Sequence, residues 1–468
     1  MLKFLLYGYS YGFRSSRKLE RATYHNMSFI WLLGGLKPDH KTIAEFRRKN
    51  KAVLKDVLKR CARLCIRIGL IAGNTLFVDS TRMRANASIK NTWGKEKCQR
   101  ALEKIDAHIE AILAECDAVD EKEENQDSLV KMKKELKDER LLKAKVKNIL
   151  KELKGTKKKS INTTDRECTR IRGLQGSHRG YSLHGTVDEK NGLLVNSDVR
   201  GETNDLNQFA KQVNQASEVL EKKCEVACAD SGYAYTRELK KIDKQAIKVI
   251  VPFQKQASGK KPKAFDKSNF KYDSGKDSYR CPEGHVFIYS YTNNYEGHKV
   301  YMIREKTICH ECSHFGICTT SKQGRTIARL INEEVRQKLE AQYEEPESQA
   351  IYKLRKEKAE LPFGHMKRNL KFDAFLLRGL DGVKAEASLL ASCFNIRRMI
   401  TLIDALTLIK KLKDLASSRG TSFPLATLRE SAYPKEENSN RREKTWINRV
   451  FASKRRVEFP FLCQRAFV

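Results

Sequence analysis

The sequence predicts an α/β protein in which a mixed sheet carries helices on its faces and is interrupted by a helical hairpin. Three observations predict it. Between residues 75 and 253, short apolar runs of strand length alternate with amphipathic helical stretches. A heptad seam breaks that alternation between residues 94 and 159. Four of the thirteen cysteines and four of the ten histidines crowd between residues 281 and 318, which marks a small separate insert.

Taken in order, residues 1–66 read as an N-terminal helical module made of LKFLLYGYSYG, SRKLERATYHNMSFIWLLGG and PDHKTIAEFRRKN. Pro38 and Asp39 sit at a helix start, followed by apolar Ile43 and Phe46. Short basic helices suit DNA binding, and a cap packed on the next domain is the equal alternative. Residues 67–93 hold the first core strand in TLFVDS (Thr75 to Ser80), within the most apolar stretch of the chain, Arg67 to Ser80.

Residues 94–159 turn to Lys, Glu, Leu and Ile. Leu102, Ile105, Ile109, Ile112, Cys116 and Val119 follow the 3,4 spacing of a coiled-coil seam. A polar stretch from Asp120 to Ser128 interrupts it, and a second seam runs through Leu129, Met132, Leu136, Leu142, Val146, Ile149 and Leu153. Two such helices joined by a short polar turn predict an antiparallel hairpin.

Residues 160–253 continue the core. GYSLHGTVDE and GLLVNSDVRG are strands hinged near Asp188 to Asn191, Asn204 to Lys222 is an amphipathic helix, and EVACADSGYAY and AIKVIVPF hold buried strands. Residues 254–330 combine an exposed linker, Gln254 to Tyr279, with the cysteine- and histidine-rich insert. Residues 331–414 are helical again, with Pro346 and Pro362 as breaks or starts. Residues 415–468 form a basic irregular tail in which Lys454, Arg455 and Arg456 suit phosphates and disorder is the plainer reading.

The 468 residues include 92 Lys and Arg against 58 Asp and Glu, a net charge of +34 and a pI near 9.6. At 40% hydrophobic residues the chain is too apolar for disorder throughout. Self-repulsion of that size calls for a polyanionic partner, nucleic acid first. A membrane is the rival, but no run reaches the ~18 apolar residues of a spanning helix, and the N-terminus lacks a signal-peptide cleavage site. The chain therefore reads as intracellular, where its cysteines are free thiols or metal ligands.

Within the insert, Cys309 and Cys312 share one tight turn, and Cys281 and Cys318 complete a set of four thiolates suited to a closed, structural Zn²⁺ site. His285 or His310 is the replacement ligand, His298 and His314 complete the cluster, and buried free thiols are the bland alternative. Cys61, Cys65, Cys224 and Cys228 read as packed thiols.

Asp79 and Asp230 each end an apolar strand, where ligands of an open sheet bind. Glu360 lies two helical turns from Lys367, with Tyr352 and Arg355 on the preceding turns. Alone, each carboxylate reads as a helix cap or turn residue. Together in so basic a chain they suggest paired Mg²⁺ or Mn²⁺ ions acting on a phosphodiester.

These residues resemble the DDE transposases of bacterial insertion sequences. The likeness runs through LLYGYSYGFRSSRKLE with PDHKTIAEFRR, FVDSTRMRANAS, GYSLHGTVDEKNGLLV with NDLNQF, ADSGYAYTRELKKI, YRCPEGH with CHECSHFGIC, and RKEKAELPFGHMKRNLKF with ASCFNIRRMI. It implies an RNase H-like catalytic domain with Asp79, Asp230 and Glu360 as its metal triad. It also implies DNA contacts by Tyr352, Arg355, Lys367 and the adjacent Arg368, double-stranded DNA as partner, a homodimer on DNA, and a place at the nucleoid.

The spacing of Arg355 and Glu360 is one residue longer than the family signature, which keeps Glu357 as the weaker third ligand. Relatives carry helical sequence before LLYGY, so a shortened N-terminal module is expected. The chemistry implied is metal-dependent cleavage at transposon ends and transfer of the freed 3′-hydroxyl to target DNA. A catalytically inactive or domesticated DNA-binding derivative is the second reading, and a zinc-containing RNA-binding or coiled-coil adaptor the third.

Overall fold

A computed structural model describes residues 1–120, 126–156, 158–173, 176–202, 204–254, 256, 263–293 and 297–417. The chain divides into a unit of residues 1–404 and a second of residues 405–468. In the second, the described part is one helix, Ala405–Ser417, and the remaining tail, with Lys454 to Arg456, lies outside the described residues.

The first unit opens with six helices: α1 Leu2–Ser10, α2 Ser16–His25, α3 Met27–Leu33, α4 His40–Lys49, α5 Lys51–Lys55 and α6 Val57–Arg67. Asp39 starts α4 as expected, its Oδ1 accepting from the Thr42 N–H at 2.7 Å. Phe4, Leu5, Tyr9, Leu19, Phe29 and Ile43 are buried in one core with Leu389, Leu390 and Phe394 of a long late helix, Gly379–Ile403. Arg14 donates to Glu386 of that helix at 2.7 Å, both side chains buried. The Leu376 and Leu377 N–H groups also donate to Glu386, so its charge is held by three donors. The N-terminal helices thus cap the core through α1, α5 and α6.

The main sheet is built from β1 Thr75–Arg84, β4 Thr169–Gly173, β5 Gly176–Asp188, β6 Leu194–Arg200, β7 Val226–Ala229 and β8 Lys248–Ile250. Its order is β6-β5-β1-β7-β8, with β4 paired to the first part of β5. Strand β1 is antiparallel to β5 and parallel to β7, and β7 is parallel to β8. The hinge near residue 190 joins β5 and β6 as an antiparallel pair. Helices α9 Phe209–Leu220 and α10 Thr236–Asp243 make the crossovers of the parallel half. This is the mixed, helix-flanked sheet expected, consistent with an RNase H-like domain.

The hairpin leaves and re-enters through a two-stranded clasp, β2 Thr92–Gly94 with β3 Ser160–Asn162. Its arms are α7 Lys95–Asp120 and α8 Gln126–Gly155, antiparallel because Asp106 pairs with Lys143 while His108 pairs with Glu139. Ile105, Ile112, Val146, Ile149 and Leu153 bury the seam. Leu142 departs from it: 41% exposed, it faces solvent. The joining residues 121–125 and the side chains of Cys116, Val119, Leu129 and Met132 lie outside the described residues.

The region read as linker and polar insert folds differently from expectation. Five antiparallel strands, β9 Lys271–Asp273, β10 Ser278–Arg280, β11 Val286–Asn293, β12 His298–Ile303 and β13 Thr326–Leu330, form a second sheet in the order β13-β12-β11-β10-β9. It does build a core of its own, from Phe270, Tyr279, Phe287, Tyr301, Ile303 and Ile327. The Tyr272 and Tyr301 hydroxyls both donate to Asp277 at 2.6 Å, fixing the turn between β9 and β10. A short helix, α11 Lys306–His310, follows β12.

Two helices return the chain to the main sheet, α12 Glu333–Glu344 and α13 Pro346–Arg368, before α14 Gly379–Ile403 closes the unit. Pro346 starts α13, where its missing N–H costs nothing. Pro362 is buried inside the same helix without ending it, so Tyr352, Arg355, Glu360 and Lys367 share one element. Among the described residues no helix is long and apolar enough to cross a membrane.

Candidate active site

Strands β1 and β7 run parallel with Val78 opposite Ala229, and there their pairing stops. Strand β1 continues to Arg84 against β5, while β7 ends at Ala229 and turns into a short helix, Ser231–Tyr233. The parting opens a crevice at the carboxyl ends of neighbouring strands, about 4.8 Å apart in a sheet, with Asp79 and Asp230 on its two sides. Asp230 caps the turn, its Oδ1 accepting from the Gly232 N–H at 3.0 Å. This adjacency leaves the adaptor reading without support, since that reading needed the two aspartates far apart.

Opposite Asp79 in the antiparallel register stands Gly185. A Cβ there would lie 3.0 Å from the Phe363 ring, so the missing side chain lets α13 press onto the sheet. That approach carries Glu360 over the crevice. Burial pushes the Asp79 carboxyl up to about 6; the Arg355 charge and the Ser80 N–H oppose that rise, and the charges of Asp230 and Glu360 add to it. All three predicted carboxylates therefore act on one another. Glu357 is instead paired with Lys358 at 3.1 Å, with its side chain 71% exposed.

Arg355 is half-buried and places Nη1 3.6 Å from Asp79 Oδ2. Tyr352 lies under its guanidinium at 5.4 Å and against Tyr343 edge to face at 5.2 Å. Both residues thus point at the crevice. Lys367 donates to Thr81 Oγ1 on β1, and burial lowers its ammonium pKa against the opposing pull of Asp79. Arg368 is exposed beside it.

Among the described residues, no three His, Cys, Asp or Glu side chains already stand grouped as the ligands of an ion. The cation beside Asp79 is Arg355. The donors themselves are hard carboxylate oxygens around a crevice, which fits Mg²⁺ or Mn²⁺ in chemistry.

Sequence reasoning missed a fourth carboxylate at this crevice, Asp205, whose charge acts on Asp230's side of the site and whose Oδ2 accepts from Ser80 Oγ at 3.0 Å. Its one signal was its place in NDLNQF, between β6 and α9.

The cysteines of the insert do come together. Cys281, Cys309, Cys312 and Cys318 line one pocket with Phe265, Glu283, His285 and His314. Burial raises the Cys318 thiol pKa, Arg325 opposes this, and the three other thiols add to it. His314 is paired with Glu283 at 3.0 Å, and His310 Nε2 lies 3.1 Å from the Lys322 carbonyl. His298 belongs to β12, away from this list of lining residues. Cys65, Cys224 and Cys228 are buried as packed thiols, and Cys61 is half-buried.

Comparison with known families places two segments. Residues 280–400 match a transposase DDE domain, and residues 1–49 match a transposase domain, DUF772. The first match takes in Tyr352, Arg355, Glu360, Lys367 and the four cysteines, while Asp79 and Asp230 lie outside both. No curated protein and no solved structure matches the chain.

Proposed function

We propose that this chain, which belongs to the DDE transposases of insertion sequences, cuts DNA at transposon ends and joins the freed 3′-hydroxyl to target DNA, with Asp79, Asp230 and Glu360 holding divalent ions. The observation that carries the reading is the parallel register that sets Asp79 beside Asp230 while α13 brings Glu360 to act on Asp79. Bound there, Mg²⁺ supplies an activated water or hydroxyl and neutralises the leaving oxygen.

The chain's own residues do the positioning. Arg355 carries the positive charge at Asp79, and a phosphate entering the crevice gives that guanidinium a second acidic partner. Tyr352 holds the guanidinium plane from below. Lys367 and Arg368, at the end of α13, meet phosphates on the rim as point charges. The net charge of +34 supplies salt-sensitive affinity for the DNA backbone along the rest of the surface. Two copies of the chain, one per transposon end, belong to the same proposal.

One Zn²⁺ held by Cys281, Cys309, Cys312 and Cys318 is proposed as a structural part of the second sheet. The meeting of four soft donors in one pocket supports it.

The test of the reaction is Mg²⁺-dependent nicking of DNA carrying the element's own ends, with gel-shift binding measured in parallel. Asp230→Asn is expected to abolish nicking and leave binding intact. Nicking that survives the substitution removes Asp230 from the site. Binding without nicking by the natural chain favours the non-catalytic derivative instead.

A further inference from the structure

Ser80 holds two carboxylates at once: its N–H donates to Asp79 Oδ1 at 2.8 Å and its hydroxyl to Asp205 Oδ2 at 3.0 Å. Asp205 therefore stands on the same side of β1 as the triad, although it comes from the loop between β6 and α9. Its position relative to Asp230 follows from Gly232. A Cβ built on Gly232 would lie 3.1 Å from Asp230 Oδ1 and 3.8 Å from Asp205 Oδ2, so both oxygens border the space that this glycine leaves open. The backbone of Gly232 is not in the left-handed region, so conformation does not demand glycine there; the open space is what its absence of a side chain provides.

A second observation marks the far side of Asp205. His184 is fully buried, its Nδ1 bonded to the Tyr233 hydroxyl at 2.8 Å and its Nε2 aimed at Asp205 Oδ1 across 3.7 Å. Neither Nε2 nor Oδ1 has a hydrogen-bond partner. A buried carboxylate oxygen and a buried ring nitrogen left facing each other cost free energy unless something in the site changes their arrangement. An ion drawing Asp205 toward Asp230 does so. Such a carboxylate–imidazole contact behind a ligand is the usual way a metal site fixes its donors.

We propose that Asp205 is a fourth carboxylate of the metal centre, binding a divalent cation together with Asp230 in the space kept open by Gly232, with Ser80 and the His184–Tyr233 pair as its positioning residues. The inference rests on the reading of Asp79, Asp230 and Glu360 as metal ligands and assigns the second ion its own donor.

The test is a Mn²⁺ titration of the full chain, with free Mn²⁺ read by electron paramagnetic resonance, so that no DNA or turnover is involved. The natural chain is expected to take up two ions. Asp205→Asn, nearly isosteric, is expected to lose one of them or weaken it at least roughly tenfold, the scale of lost metal-site support. Gly232→Ala keeps every carboxylate, fills the gap with one methyl, and is expected to lose the same ion; it serves where Asn at 205 unfolds the chain. Uptake like that of the natural chain by both variants overturns the proposal. Asp79→Asn separates the two readings, because unchanged uptake by that variant defeats the triad itself, whereas impaired uptake there with normal uptake by Asp205→Asn and Gly232→Ala defeats the assignment of Asp205 alone.

Discussion

The two sheets of this chain gather comparable numbers of metal-type donors by opposite means. In the main sheet, β7 stops while β1 runs on, and the parted strands leave Asp79 and Asp230 facing a crevice with Glu360 above. In the second sheet, Cys281, Cys309, Cys312 and Cys318 close around an apolar pocket beside an aromatic core. Hard oxygens around an opening suit ions that must also meet substrate, whereas soft sulfurs in a closed pocket suit an ion that holds a fold together. The difference lies in whether the backbone opens or seals the place where the donors meet.

The largest effect that sharpens this contrast separates two neighbouring glutamates. Glu360→Gln is expected to lower Mg²⁺-dependent nicking roughly a thousandfold, the scale of removing charge stabilisation from a transition state. Glu357→Gln, on an exposed side chain already paired with Lys358, is expected to leave it nearly unchanged. The reverse result would move the third ligand to residue 357.

Next in size is a gain in stability bought at the open site by removing its function. The folded chain holds the Asp79 proton up to about pH 6, above the ordinary 3.8, so ionising this group opposes folding. That penalty is absent below about pH 4, grows as pH rises through 6 and is complete above it. Asp79→Asn is therefore expected to raise unfolding free energy at pH 8 by about 2 kcal/mol while nicking disappears, with the gain fading toward pH 4. Denaturant melts at the two pH values check it, and equal melts would mean the carboxylate is not strained by burial.

At the closed pocket the expectation runs the other way. Replacing Cys309 and Cys312 together by Ser is expected to remove bound zinc, measured by elemental analysis, and to speed amide exchange in residues 278–330 about tenfold, which is a loss of about 1.4 kcal/mol of local stability. Nicking per folded molecule should hold. A chain purified without zinc whose exchange is unaffected by the substitutions would reduce the four thiols to packing.

The smallest effect returns to the crevice. Tyr352→Ala removes the ring beneath Arg355 and is expected to cost roughly two- to fivefold in nicking, from a cation–π contact of about 0.5–1 kcal/mol. A loss like that of Glu360→Gln would make Tyr352 a direct participant.

Much of the main sheet was legible because its strands are apolar runs ending at polar residues. TLFVDS and VACAD announce both burial and the point where it ends, so the aspartates could be placed before any register was known. Their parallel pairing, Val78 against Ala229, was not readable, since register comes from the sheet as a whole. The second sheet escaped for a physical reason: β9 and β10 are three residues long and their buried positions are tyrosines among Lys, Asp and Ser, a pattern that looks like a linker. Leu142 kept its heptad spacing yet faces solvent, because the seam is buried only where the partner arm covers it. Asp205 was hidden in a loop, where no period of apolar residues points to its direction.

The account turns on whether Asp79 and Asp230 share divalent ions in the crevice between β1 and β7. Crystals of the chain soaked in Mn²⁺, measured for anomalous scattering, test this most directly. The prediction is anomalous density between the two aspartates, with Glu360 turned toward it and Arg355 displaced from Asp79. Arg355 still seated on Asp79, with no density there at saturating Mn²⁺, would contradict it.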